Sequence, residues 1–299
     1  MNLFSKFTSD PLFTKIIRSS GSLLSNNTIA LGLSVIQGIM ATRLLGPSGF
    51  GLIGVVMAFA STVNSIFSFR MSELVVRYGG EYLTQNDKPS ASALIRLASL
   101  TEAFVSLIAF LIVLVTATLA ESYLAKTNGV VWMFIIYGIG LLANFNTETA
   151  TGILQITDKI KLQGTINLIQ AIFTTLIIAG AFFFNGNITS VLIAYLVGKS
   201  VMGLGLFITA QIQLIKKLGR NYFQTPISSL KNIKEIVRFA FSSNISATII
   251  KVFRESEMIW VGLFLDTTAV GYYRVAYTIT HFLAIPADPL IATTFPEIN

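Results

Sequence analysis

The sequence predicts an all-α, polytopic membrane protein with about eight transmembrane helices. Three observations predict it. Of the 299 residues, 53% are hydrophobic and only 12% are charged, about half the charge of a soluble domain. Apolar stretches long enough to cross a hydrocarbon core recur along the whole chain. No strand-like alternation competes with them, and a backbone in lipid must satisfy its polar groups inside a helix or a closed barrel.

The spans fall at 21–43, 49–70, 93–120, 130–152, 164–184, 188–210, 238–264 and 268–295. Between them lie turn signals: GPSG at 46–49, QNDKPS at 85–90, TNG at 127–129, DK at 158–159, NGN at 185–187 and LDTT at 265–268. The first twenty residues lack the continuous apolar core and cleavage site of a signal peptide. Leu12, Phe13, Ile16 and Ile17 recur at helical spacing beside Lys15 and Arg18. That pattern predicts a short amphipathic helix on the inner membrane face; the alternative is a frayed polar terminus.

Lys and Arg set the orientation. With a cytoplasmic N-terminus, the inner segments carry fifteen of them and the outer ends only Arg43 and Lys126. This is the positive-inside pattern. It also accounts for the net charge of +7 without nucleic-acid binding. The basic stretch QLIKKLGRNYFQTPISSLKNIKEIVR at 213–238 joins span six to span seven. It divides the chain into a six-helix bundle (1–212), a cytoplasmic linker (213–237) and the first two helices of a second bundle (238–299).

A shift of 220 residues relates the two parts. Arg18 then falls on Arg238, Ser22 on Ser242, Leu45 on Leu265, Gly51 on Gly271 and Val55 on Val275. Identity is near background, but both copies read as apolar helix, short outer turn, Gly and second helix. The pattern is that of a parallel repeat, as in some transporters. The second copy stops after two helices, and no Lys or Arg follows span eight. The sequence therefore reads as a fragment or as a shortened relative.

Span seven is the anomaly. Lys251, Arg254, Glu255 and Glu257 lie within seven residues at its middle. On a helical wheel Asn244, Thr248, Lys251 and Glu255 share one arc, with Arg254 and Glu257 beside it. A charge at the bilayer centre costs roughly 2.5–3.5 kcal/mol on insertion scales, so this stripe faces protein or a water-filled cavity. Asn27, Ser34 and Gln37 make a polar stripe on span one, expected to face span seven across that cavity. Two readings stand for the charges. Lys251–Glu255 and Arg254–Glu257 neutralise each other along the helix, or the stripe meets a ligand.

The remaining intramembrane charges divide similarly. Arg274 either lines the outer cavity or snorkels to the interface. His281 and Asp288, beside Pro286 and Pro289, form a proton relay or fill a kinked helix. Glu102 and Glu148 are candidate cation-coupling groups, and Lys199 a source of cavity charge. Enzyme signals are lacking: there are no cysteines and one histidine, no P-loop and no metal-ligating constellation. No metal or cofactor is expected.

Two stretches carry a family resemblance. NTIALGLSVIQGIMATRLLGPSGFGLIGVVMAFASTVNSIFSFRMSELVVRYGGEYL (27–83) contains R-L-L-G-P-S-G-F-G at 43–51 and V-V-R-Y at 75–78. EMIWVGLFLDTTAVGYYRVAYTITHFLAIPADPLIATTFPEI (257–298) contains V-G-Y-Y-x-x-A at 270–276 and a late Phe-Pro. Both resemble the polysaccharide biosynthesis flippases, the Wzx-type members of the multidrug/oligosaccharidyl-lipid/polysaccharide superfamily. In that family an Asp commonly stands where this chain has Glu257, and the second bundle is longer.

The resemblance implies a flippase of the bacterial cytoplasmic membrane. Its cargo is an undecaprenyl-diphosphate-linked oligosaccharide for O-antigen, capsule or exopolysaccharide, with polysaccharide polymerase and glycosyltransferases as neighbours. Lys251, Arg254 and Arg274 are then the expected diphosphate ligands. Asn27, Ser34, Gln37, Asn244 and Thr248 are expected to serve sugar hydroxyls, and Glu255 and Glu257 to hold the cations. The alternatives are a cation-coupled drug exporter of the same superfamily, or a non-transporting scaffold of the assembly machinery.

Overall fold

The computed structural model describes residues 11–68, 70–230, 232–242 and 244–284. Helix is the only regular structure among them, as the composition requires.

The first element, α1 (Pro11–Phe67), is a long helix broken at Gly46, where φ is 71° and ψ is 170°. Glycine takes a positive φ without a Cβ penalty, and Pro47 starts the second arm with its φ already set for a helix. A Cβ on Gly38 would lie 3.7 Å from the Phe50 ring. Twelve residues of straight helix would separate those positions by about 18 Å, so the arms fold back on each other as spans one and two. From Pro11 the described helix runs into span one without a break before Gly46.

A short helix α2 (Met71–Leu74), a π-turn (Val75–Gly79) and α3 (Gly80–Thr84) follow. Span three is α4 (Lys88–Ala120). Its N-cap Asp87 accepts the Ser90 amide and Pro89 occupies the first turn, a standard helix start. A second π-turn (Glu121–Ala125) leads to Lys126 in the left-handed region at φ 50°. Span four differs from expectation. It is two helices, α5 (Val131–Ala143) and α6 (Thr147–Ile156), interrupted at 144–146. Spans five and six are α7 (Lys161–Phe183) and α8 (Ile188–Leu218). After the linker come α9 (Ile233–Ser242), α10 (Asn244–Phe264) and α11 (Thr267–Ala284).

By length and hydropathy, four stretches among the described residues qualify as spanning: Ser25–Phe67, Lys88–Ala125, Lys161–Phe183 and Ile188–Leu218. The first holds two arms, the fourth predicted span is split, and α10 carries four charges. The last predicted span, 268–295, is described only as far as Ala284, and for these reasons a simple hydropathy criterion finds fewer spans than eight.

The turn signals GPSG, TNG, NGN and LDTT gather at one end, here the turn end. The linker and the 70–88 and 157–161 connections lie at the other, the linker end. Each end has its own apolar core. Phe50, Ile53, Val113, Met133, Phe134, Leu192 and Val270 pack at the turn end. Leu94, Ile95, Ile153, Leu154, Leu206 and Ile236 pack at the linker end. Leu107, Leu111, Val115, Phe173, Leu176 and Ile208 point outward and exposed, as a lipid-facing surface requires.

The linker is not free chain. Arg96 donates to the carbonyls of Phe223 (3.0 Å) and Thr225 (3.1 Å), Ser90 donates to the Ser229 carbonyl, and Tyr222 donates to Gln211. α11 packs chiefly on α1, so the start of the second half is seated on the first.

Glycines permit the closest helix crossings, as is usual where helices meet in lipid. A Cβ on Gly203 of α8 would overlap the Ala143 carbonyl at the end of α5, whereas one on Gly180 of α7 would meet nothing. Overpacking costs about 1–3 kcal/mol. Gly203→Ala is therefore expected to lower the thermal midpoint of the detergent-solubilised protein by several degrees, with Gly180→Ala unchanged or slightly raised.

Candidate functional site

The charged stripe of α10 borders a cavity of about 410 Å³. The second arm of α1 contributes Gly54, Met57, Ala58 and Ser61. Tyr137 and Asn144 come from α5 and its end, Gln170 from α7, and Tyr195 and Lys199 from α8. Arg254, Glu255, Glu257, Arg274 and Tyr277 close it from α10 and α11. A second cavity of about 210 Å³ lies toward the linker end, with Asn64, Ser65, Ser68, Glu102, Ser106, Thr147, Glu148 and Lys251 in its wall. Ser61, Asn144, Lys199 and Glu255 line both, so the two form one polar passage through the helices.

The structure thus brings together Lys251, Arg254, Glu255, Glu257 and Arg274, as the sequence pattern suggested, and adds Lys199. The charges are not spent on each other along α10. Among the described residues neither Lys251–Glu255 nor Arg254–Glu257 forms an ion pair. Glu255 accepts from Ser61 (2.6 Å) and Glu257 from the Tyr273 hydroxyl (2.6 Å). Lys251 instead approaches Glu148 of α6 at 3.9 Å, both side chains part-exposed at 44% and 31%. At that distance and exposure the pair is worth little.

Of the cations lining the larger cavity, Lys199, Arg254 and Arg274 have no carboxylate within ion-pair distance among the described residues. Lys199 lies 5.1 Å from the Tyr137 ring centroid. Arg274 is 8% exposed. It stacks on Phe50 at 4.2 Å and faces Tyr195 at 5.0 Å, and it donates to the Phe50 carbonyl (3.3 Å) and the Met57 sulfur (3.1 Å). It lines the cavity rather than snorkelling. Aromatic faces and a carbonyl stabilise a cation without neutralising it, so this part of the passage stays electropositive.

Span one corrects an expectation. Asn27, Ser34 and Gln37 do not face α10. Asn27 accepts from Asn167 (2.9 Å), and buried Gln37 donates to the Ala171 carbonyl (3.0 Å) and Thr175 (2.9 Å). Ser34 bonds back to the Ala30 carbonyl. The stripe is glue between α1 and α7, the common use of amides and hydroxyls between helices in lipid. The side chains of Asn244 and Thr248 lie outside the described residues, as does Asp288. His281 bonds to the Tyr277 hydroxyl (2.8 Å), is exposed, and lines neither cavity. Arg43 is exposed near the turn end.

Glu102 has a structural task. Its carboxylate accepts the amides of Glu148 (2.8 Å) and Thr149 (2.9 Å), capping the N-terminus of α6 from the neighbouring α4. Free amides at a helix start favour an anion. Asn144 secures the other side of the break, donating to the carbonyls of Gly140 (2.8 Å) and Lys199 (3.1 Å). The signal was present in N-F-N-T-E (144–148), a run of capping residues that a hydropathy average conceals. The polar stripe Ser61, Asn64, Ser65 and Ser68 on the second arm was likewise legible, at spacings of three, four and seven.

The comparisons with known proteins agree with this geometry. The model of a family described as polysaccharide biosynthesis protein matches residues 16–298. The chain belongs to that family. It is 25% identical over 293 residues to the inner membrane protein YghQ of Escherichia coli (strain K12), covering 97% of this chain and 81% of that protein. Its fold is similar to a multidrug resistance MATE family transporter of the MOP superfamily in an inward-facing conformation. The TM-score is 0.67 at 14% identity, over 89% of this chain and 61% of that one. The chain therefore spans less than two thirds of that transporter. The family is one of polysaccharide biosynthesis, and the likeness to the transporter shows the fold.

Loss of a helix cap costs roughly 0.5–2 kcal/mol. Glu102→Ala is expected to lower the thermal midpoint in detergent by that equivalent, and Glu102→Gln, which keeps one acceptor oxygen, by less.

Proposed function

We propose that the protein is a flippase that carries an undecaprenyl-diphosphate-linked oligosaccharide from the inner to the outer leaflet of the bacterial cytoplasmic membrane. The observation that carries this reading is the electropositive passage: Lys199, Arg254 and Arg274 line one cavity without carboxylate partners. A diphosphate needs cations at mid-depth, and the sugars need water and hydrogen-bonding groups, while the polyprenyl tail stays in lipid. Arg254 and Arg274 offer planar forks to phosphate oxygens, and Lys199 and Lys251 offer point charges. Ser61, Asn144, Gln170 and the tyrosine hydroxyls are the groups available to sugar hydroxyls. Glu255 and Glu257 keep the cations from collapsing onto a single anion. With the N-terminus cytoplasmic, the linker end faces the cytoplasm and the turn end the outside, which supports loading at the Lys251 level. Polymerase and glycosyltransferases of the same assembly line are the expected partners.

The test is genetic and chemical. Deleting the gene is expected to accumulate lipid-linked repeat units in the cytoplasmic leaflet, and restoring it to clear them. A hydrogen bond to a charged group is worth about 1.5–3 kcal/mol. Lys251→Ala with Arg254→Ala is therefore expected to slow clearance at least tenfold, and Arg254→Lys, which keeps charge but loses the fork, by less. Clearance by the double variant at the parent rate would remove the charge role. A deletion that accumulates nothing would remove the polysaccharide cargo itself.

A further inference from the structure

At the turn end the two halves meet through a contact that reads the same from both sides. The 220-residue shift that pairs Gly51 with Gly271 also pairs Pro47 with Thr267. A Cβ on Gly51 would overlap the carbonyl oxygen of Thr267 and lie 2.6 Å from the amide nitrogen of Gly271. A Cβ on Gly271 would overlap the carbonyl oxygen of Pro47. Each glycine thus receives the first turn of the opposite hairpin, the self-complementary arrangement of a two-fold contact. Gly54 and Arg274, also related by the shift, face each other just below, with the arginine Cδ 3.1 Å from a Cβ on the glycine.

Polar contacts flank this core. Ser48 and Thr267 hydroxyls are 3.2 Å apart. Lys126, from the turn after α4, donates to the carbonyls of Leu263 (2.9 Å) and Leu265 (2.7 Å) at the end of α10. A cation on the last carbonyls of a helix is a favourable cap. No ion pair between the halves occurs in this seam among the described residues. Around the glycines Val270 packs with Phe50 and Ile53 in the turn-end core, and the polar part of the seam is a few single hydrogen bonds. The passage begins immediately beneath it: Gly54 and Arg274 line the larger cavity. Toward the linker end Lys251 and Glu148 are part-exposed, while Phe239 packs on Tyr78 and Arg77.

We propose that Gly51 and Gly271, with Lys126 latched on the end of α10, form a releasable clasp that seals the turn end of the passage. The state described here is then the one closed at that end. Release requires the two glycine faces to separate and Lys126 to leave the α10 carbonyls. The transport meaning of the clasp rests on the cargo reading above; its sealing does not.

The chain has no cysteine, so single thiols report cleanly. Ala58→Cys places a reporter in the cavity below the seam. In sealed vesicles of each orientation, a membrane-impermeant maleimide is expected to label it from the linker-end face and at least tenfold more slowly from the turn-end face. Adding Gly51→Ala or Gly271→Ala is expected to raise turn-end labelling at least tenfold, and Lys126→Ala by a smaller factor. Equal labelling from both faces in the parent would overturn the seal. A membrane-inserted glycine variant with unchanged labelling would overturn the clasp. Should the glycine variants fail to insert, Ser48→Cys with Thr267→Cys decides. Oxidation by copper–phenanthroline is expected to join the thiols, to hold Lys126→Ala labelling at the parent level, and to be reversed by dithiothreitol. Failure to cross-link, or a cross-link that leaves labelling unaltered, would overturn it. If the labelling asymmetry holds but no version moves lipid-linked sugar, the cargo reading fails and the clasp stands.

Discussion

The bilayer core contains no water to satisfy a stray charge or a freed backbone group, and the architecture follows from that constraint. Two departures from plain apolar helix are met by partners on neighbouring elements. The interruption of span four exposes the amides of α6, and Glu102 of α4 accepts two of them while Asn144 holds the carbonyl side. The polar face of span one is closed against α7 through Gln37 and Asn27. The charges of α10 have no such neighbours along their own helix. They are tolerable because they border the passage, where Ser61 of α1 donates to Glu255 and Tyr273 of α11 donates to Glu257.

The distribution of charge along that passage is uneven in a useful way. Toward the turn end, Arg254, Arg274 and Lys199 outnumber Glu255 and Glu257, and the arginine most deeply buried is held by aromatic rings and a carbonyl. Toward the linker end, Lys251 meets Glu148, with Glu102 and Glu255 nearby. An anionic head group entering from the linker end would pass a cavity with three carboxylates and two lysines in its wall before reaching the region where cations outnumber carboxylates. Binding at mid-depth between helices of two related halves is also the arrangement that lets a rocking motion expose one site to either face.

The residues that misled the sequence reading did so for physical reasons. Asn27, Ser34 and Gln37 share a helical face, and periodicity establishes only that they share it. Whether that face meets water or another helix depends on α7, whose Thr175 and Asn167 are distant in sequence. Span four reads as continuous because averaged hydropathy is insensitive to a short polar run in a long apolar stretch, although N-F-N-T-E carries the capping signal. Pairing of Lys251 with Glu255 and of Arg254 with Glu257 satisfies helical spacing. Competing partners on other elements, Ser61, Tyr273 and Glu148, take the carboxylates and Lys251 instead. The serine and asparagine stripe of the second arm was as legible as that of span one.

The sequence by itself determined the all-α membrane class, the placement of most spans, the positions of the turns, the asymmetry of Lys and Arg, and that span seven cannot face lipid. All of these are local or compositional properties, set by hydropathy, turn chemistry and the cost of charge in hydrocarbon. Only the tertiary structure decided which polar faces are glue and which line a passage, that Lys199 and Arg274 share a cavity with Arg254, and that Gly51 and Gly271 each seat on the other's hairpin. Those facts depend on contacts between residues as much as 224 positions apart, and a helix's own periodicity carries no information about what packs against it.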